Sequence, residues 1–175
     1  MHGILRLVLS HHLGTPPAQI EFFEGEYGKP SVAGDLEFSI SYSGDYGLIA
    51  VTSVPAGVDI ELVDPEKITP EMIEEVFSSS EKESYFDDSS ADTDTFFRSW
   101  VRKESVIKAM GTGVSFPLHL VESRLDKESY SATYGGKEWR TFDLEDVAPG
   151  YIAALTIAGE SDPRIHIKDT AHPIQ

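Results

Sequence analysis

Trp100-Val101-Arg102-Lys103-Glu104-Ser105-Val106-Ile107-Lys108, followed shortly by Gly111-Thr112-Gly113, sits in a segment whose pattern predicts one long helix from about Asp94 to Met110, with the glycines as its stop. At about 100° per residue, Phe97, Trp100, Val101 and Ile107 share a face, and Glu104 and Lys108 fall near its centre. Arg98, Ser99 and Arg102 fall toward the opposite side, where the pattern predicts solvent. An acid and a lysine four apart in an apolar stripe have two readings. One is a plain i,i+4 salt bridge worth about 0.2–0.5 kcal/mol. The other is a polar site that a second element completes, which also accounts for their place among apolar neighbours.

Gly57-Val58-Asp59-Ile60-Glu61 supplies such an element. Side chains two apart on a strand share a face, so Asp59 and Glu61 project together, away from Val58, Ile60 and Leu62. Alone, the pair fits either two ordinary acids on a solvent-facing strand or a site for a hard cation such as Mg²⁺, which relieves their repulsion. If the strand packs on the helix, Asp59, Glu61 and Glu104 offer three carboxylates to one divalent cation. Positions then stay open for water and substrate phosphate, and Lys108, one turn on, faces the same phosphates.

The surrounding sequence predicts an α+β protein. Residues 2–13 read as a helix stopped by Gly14, and Ile20–Phe22 and Leu36–Ser41 as half-buried strands. Gly47–Ser53 and Gly57–Val63 read as adjacent strands in the middle of a sheet. Thr69-Pro70-Glu71 marks a helix start, Ser80-Glu81 opens a second short helix, and an acidic loop spans Asp87–Asp94. Short strands are expected around His119–Leu125, Tyr130–Tyr134, Glu138–Leu144 and Tyr151–Ile157, then a peripheral polar tail. The first helix carries no cap, which predicts an upstream element or a later start than in relatives. Gly28-Lys29 before the strand at Tyr46–Thr52 echoes Gly136-Lys137 before Tyr151–Thr156, a pattern equally compatible with coincidence and with a duplicated lobe.

Composition narrows the partners. Thirty acidic against fourteen basic residues give a formal charge of −16, which repels nucleic acid and acidic membranes. No apolar run approaches the length of a membrane span and no cleavable leader is visible, so a cytoplasmic protein is expected. The absence of cysteine removes disulfides, thiolate metal sites and a thiol nucleophile. His11-His12 point about 100° apart on a helix and read as surface residues, as do His166 and His172 in the tail. Asp87-Asp88 with Asp92 and Asp94 lacks the ligand–glycine spacing of a calcium loop. No Ser-His-Asp set, nucleophile elbow or P-loop is present.

Four segments in order resemble the signatures of one family. Gly57–Glu61 resembles Gly-x-Asp-x-Glu, and Phe97–Gly113 contains Trp-x-x-Lys-Glu-x-x-x-Lys-x-x-Gly-x-Gly. Glu26-Tyr27-Gly28-Lys29-Pro30 is similar to an upstream Gly-Lys-Pro motif, and Phe77–Glu81 to Phe-Ser-x-x-Glu. The family is the 4'-phosphopantetheinyl transferases, in their Sfp-type, surfactin-synthetase-activating branch. The resemblance implies two pseudo-twofold-related lobes of antiparallel sheet plus helices. They are expected at residues 1–56 (an incomplete first lobe) and 57–160, with a tail at 161–175 and the active site between the lobes.

It implies transfer of the phosphopantetheine arm from coenzyme A to a serine of an acyl or peptidyl carrier protein, with Mg²⁺ on Asp59, Glu61 and Glu104. Glu104 would take the serine proton, directly or through a water, and Lys108 would assist the leaving phosphate. Lys29, Pro30, Ser41, Tyr42, Lys103 and Lys108 would contact coenzyme A. Neither nucleic acid nor membrane is expected as a partner, and a monomer is expected. Because carrier proteins are themselves often acidic, docking one here calls for a local apolar or basic patch or for screening salt. Two departures stand out: Ser41-Tyr42-Ser43 where the family reads Ser-His-Ser, and no counterpart before Met1 of the first-lobe strand and helix that bear phosphate-binding basic residues. The alternative function is a non-catalytic or N-terminally incomplete relative that binds carrier or coenzyme A without turnover.

Overall fold

The computed structural model describes residues 2–87, 92–113, 115–125, 127–159 and 163–169. Within these the order is α1 (His2–Leu13), β1 (Phe22–Glu24), β2 (Pro30–Val32), β3 (Glu37–Ser43), β4 (Tyr46–Thr52), β5 (Ala56–Leu62), α2 (Pro70–Val76), α3 (Ser79–Asp87), α4 (Thr93–Met110), β6 (Ser129–Tyr134), β7 (Lys137–Asp143) and β8 (Tyr151–Ala158). Short 3-10 turns lie at Pro17–Gln19, Pro65–Lys67 and Leu118–Leu120. All strand pairs are antiparallel: β1 with β2, β3 with β4, and a four-stranded sheet in the order β5-β8-β7-β6. The α+β class is as the sequence predicts. Among the described residues no helix is long and apolar enough to cross a membrane.

Local chemistry sets the helix ends. Asp92 caps α4 by accepting from the Thr95 N–H, and Gly111, at φ 69°, ends it with an N–H bond to the Ile107 carbonyl. Thr69 caps α2 through the Met72 N–H with Pro70 at the first position. Ser78 and Glu81 form a capping box at α3: the Glu81 N–H donates to the Ser78 hydroxyl and the Ser78 N–H to the Glu81 carboxylate.

Apolar residues gather in two clusters. Leu5 and Leu9 of α1 pack with Ile20, Val32 and Phe38 on the β1–β4 side. Val76, Phe77, Phe96, Phe97, Val106, Ile107, Leu118 and Val121 form the larger cluster around α4. Helix α4 crosses the four-stranded sheet so closely that a Cβ at Gly57 would overlap the Ser105 carbonyl oxygen and the Ala109 nitrogen and stand 2.8 Å from the Lys108 carbonyl carbon. Other small or hydroxylated residues line this crossing: Ser105 Oγ lies 2.7 Å from Thr156 Oγ1, which lies 2.9 Å from Thr141 Oγ1.

The structure corrects the sequence reading in four places. Arg102 and Ser99 are buried, not solvent-facing. The Arg102 guanidinium places all five of its N–H groups: two on the Asp143 carboxylate, at 2.7 Å each, and three on the carbonyls of Ser123, Arg124 and Lys127. This explains the second correction. The expected strand at His119–Leu125 is a 3-10 turn followed by irregular chain, because its carbonyls are taken by an arginine instead of a neighbouring strand. Third, Gly47–Ser53 and Gly57–Val63 lie in different sheets, since β4 takes β3 as partner and β5 takes β8. Fourth, the first strand begins at Phe22, because the chain from Pro17 turns through a 3-10 segment whose Pro17 and Ile20 carbonyls accept from Arg6. Of the acidic loop, Asp88 lies outside the described residues, as do His172 and the end of the tail; His11, His12 and His166 are exposed.

Candidate active site

Strands β3 and β5 face each other without a backbone ladder, and hydroxyls fill the gap. Ser39, Ser41 and Ser43, on one face of β3 by the period of two, accept from the N–H groups of Val58 (3.0 Å), Ile60 (3.4 Å) and Leu62 (3.1 Å). Two of them also donate: Ser41 Oγ to Asp59 Oδ1 at 2.6 Å, and Ser43 Oγ to Glu61 Oε2 at 2.8 Å. Lys108 reaches in from α4, its Nζ 2.6 Å from Asp59 Oδ1 and 2.9 Å from Ser41 Oγ. The expected meeting of strand and helix is therefore present.

Electrostatics ties Glu104 to the same place. Burial raises the pKa of Asp59, against the pull of Lys108. Burial also raises Glu61, with the Asp59 charge adding to it. Glu104 is raised by burial first and then by Asp59, with Glu61 contributing, while Lys108 opposes. Glu61 and Glu104 thus both lie within the electrostatic reach of Asp59. Asp59 is 3% exposed, and its Oδ2 is buried with no hydrogen-bond partner. An orphaned carboxylate oxygen beside two further acids is a donor set suited to a hard cation. Among the described residues no three His, Cys, Asp or Glu groups form a ready-made metal cluster.

Beside these groups lies a cavity of about 250 Å³, walled by Lys29 and Pro30 from the β1–β2 turn, Phe38 and Ile40 from β3, and Glu104, Ile107 and Lys108 from α4. The Gly111-Thr112-Gly113 turn closes one end. Gly113 is at φ 75°, a conformation that favours glycine, and a Cβ there would come within 3.1 Å of the Tyr27 side chain, so the helix stop packs closely on the Gly-Lys-Pro turn.

The residues expected to contact coenzyme A take different places in this geometry, and Lys103 points away from the cavity. Lys103 is fully buried on the far side of α4. Its ammonium donates to the Val76 carbonyl at 2.6 Å and pairs with Glu81 Oε2 at 2.5 Å, away from the cavity. Ser41 is buried, with its hydroxyl committed to Asp59, Ile60 and Lys108. The Lys29 stem lines the cavity, but its Nζ donates to the carbonyls of Ala56 (3.0 Å) and Ala109 (3.2 Å), tying β5 to the end of α4. Tyr42 alternates with the serines and is 69% exposed on the other side of β3. The polar anchors Arg102 and Glu81 escape a helical-face reading, because charges on a helix outside the apolar stripe are normally solvated.

Glu81 shows what such an anchor does. It accepts from Lys103, from the Ser78 N–H, and from both the N–H and the hydroxyl of Ser123. Burial pushes its pKa up, but Lys103 and these donors outweigh burial and hold it below the ordinary carboxylate range. A depressed carboxylate stabilises the fold above its unfolded value, about 4.3, and loses that contribution as pH falls through the lower folded value. Glu81→Gln is therefore expected to destabilise the protein at neutral pH, with the gap to wild type closing below about pH 4, as urea titrations across pH would show.

Comparison with known proteins shows the family. The sequence profile described as "4'-phosphopantetheinyl transferase superfamily" matches residues 55–156, which include both signature segments. The chain is 33% identical over 172 residues to 4'-phosphopantetheinyl transferase Sfp of Bacillus subtilis (strain 168), covering 91% of this chain and 73% of that protein. It is 36% identical over 134 residues to a 4'-phosphopantetheinyl transferase of Bacillus subtilis (73% of this chain, 57% of that one). It is 35% identical over 119 residues to 4'-phosphopantetheinyl transferase gsp of Aneurinibacillus migulanus (66% and 48%). The chain thus spans between about half and three quarters of the length of these relatives. The two signature segments meet in space through Lys108 and Asp59, and the chain belongs to the 4'-phosphopantetheinyl transferase superfamily, in the Sfp-type branch.

Proposed function

We propose that this protein transfers the 4'-phosphopantetheine arm of coenzyme A to a serine hydroxyl of an acyl or peptidyl carrier protein, releasing adenosine 3',5'-bisphosphate. The observation that carries the reading is the Lys108–Asp59 pair, which joins α4 to β5 beside the cavity that Glu104 and Lys108 line. Asp59, Glu61 and Glu104 would hold Mg²⁺, which when bound supplies neutralisation of the pyrophosphate charge. Glu104, which lines the cavity, accepts the proton of the attacking serine hydroxyl at its carboxylate. Lys108 spends two of its three N–H groups on Asp59 and Ser41, which aims the ammonium and leaves one donor for a phosphate oxygen of the leaving group. Phe38, Ile40 and Ile107 give the cavity an apolar side that excludes water from the reacting atoms.

Two lobes, residues 1–56 and 57–160, meet at the hydroxyl-lined seam in this reading; two separate apolar clusters and the lack of a β3–β5 ladder support it. The protein works as a cytoplasmic monomer, and its charge of −16 makes carrier docking salt-dependent: added salt screens the repulsion of an acidic carrier. The reading of a non-catalytic relative is less favoured, because the matching relatives are transferases and Asp59, Glu61, Glu104 and Lys108 are all present in this chain. The test is to incubate the purified protein with Mg²⁺, coenzyme A and unmodified carriers and to weigh the carriers. No mass gain on any of several carriers, while a known transferase loads them in parallel, rejects the enzymatic reading.

A further inference from the structure

The serines along the seam between β3 and β5 differ in what their hydroxyls hold. Ser39 and Ser43 perform the same structural task, each accepting a β5 N–H, but only Ser43 also donates to a site carboxylate, at Glu61 Oε2. Ser43 is nearly buried and its hydroxyl has a single proton, so donation to Glu61 fixes that hydroxyl's direction and pins one oxygen of a carboxylate otherwise free to rotate about its terminal bond. Glu61 needs such a tie, because it is only half buried and the neighbouring Asp59 repels it.

We propose that Ser43 is a positioning residue for the divalent cation: it acts through Glu61, whereas Ser39, which also lines the cavity, joins the two sheets at Val58 without a contact to a carboxylate. The proposal rests on the reading of Asp59, Glu61 and Glu104 as cation ligands. Partners that orient a ligand typically alter metal affinity by about 10- to 100-fold when removed. Mn²⁺ alone, without coenzyme A, is the probe, with free Mn²⁺ counted by electron paramagnetic resonance in titrations of the whole protein. Ser43→Ala is expected to weaken Mn²⁺ binding about tenfold, and Ser43→Thr, which restores the hydroxyl, to recover most of it. Ser39→Ala is expected to lower the unfolding midpoint as Ser43→Ala does, yet to keep Mn²⁺ affinity within about twofold of wild type, because no carboxylate depends on it.

The proposal is overturned if folded Ser43→Ala binds Mn²⁺ as wild type does, or if Ser39→Ala weakens binding equally. If Ser43→Ala does not fold, Ser43→Cys, a weaker donor of similar size, is titrated against the same criteria. Asp59→Asn separates the two layers of the argument. Unchanged Mn²⁺ binding in that variant overturns the cation reading and this proposal with it, whereas loss in Asp59→Asn with no change in Ser43→Ala overturns this proposal alone.

Discussion

Glu104→Gln is expected to lower the rate of carrier loading by about 10²–10⁴-fold with little change in stability. The substitution keeps the size and shape of a side chain packed between α4 and the cavity, but an amide cannot take a proton from the serine hydroxyl. It also removes one of three mutually repelling carboxylates, each raised by burial, so the metal-free fold is relieved of strain. A melting temperature equal to or above wild type, together with lost transfer, is the combined result expected from calorimetry and carrier mass analysis. Retention of more than about a tenth of wild-type kcat would remove Glu104 from the role of base.

Gly57→Ala tests the frame that holds this site, and its expected effect is on folding. The added methyl has no flexible neighbour to displace, because it meets backbone atoms of Ser105, Lys108 and Ala109 in the middle of α4. Overpacking that flexible side chains relieve costs about 1–3 kcal/mol. Here the helix itself must move off the sheet, so a loss above about 4 kcal/mol is expected, enough to unfold a marginal domain. The measurement is a urea midpoint, or recovery of soluble protein where the midpoint cannot be reached. Ala56, one residue earlier and also buried, already carries a Cβ, so the intolerance belongs to the crossing point and not to the strand as a whole.

That crossing shows where sequence reasoning reaches and where it stops. The period of two placed Asp59 and Glu61 together, and the period of 3.6 placed Glu104 with Lys108. Both are local rules, and both hold in the folded chain. The glycine at 57 was legible only as a motif letter, since its reason is a contact between residues 48 to 52 positions apart. Arg102 and Lys103 were misread for a related cause. A buried cation is rare unless paired, and their partners, Asp143 and Glu81, lie 41 and 22 residues away. Strand pairing failed likewise: β4 and β5 are neighbours in sequence, but the serine hydroxyls of β3 occupy the β5 N–H groups that a ladder would need. The Thr69 cap and the α4 stop at Gly111 were legible, because a cap and its N–H partner lie within a few residues of each other.

Three consecutive residues of α4 pull in three directions. Arg102 holds Asp143 and the irregular chain from Ser123 to Lys127, Lys103 holds Val76 and Glu81, and Glu104 lines the cavity. Successive side chains on a helix leave its axis about 100° apart, so such ties, spaced around the axis, remove its freedom to spin as a guy-line tripod steadies a mast. The azimuth of Glu104 is thereby set by two residues that never approach the reacting atoms. A rotation of one residue step would carry the acid out of the seam, and it is opposed by two charge pairs at once.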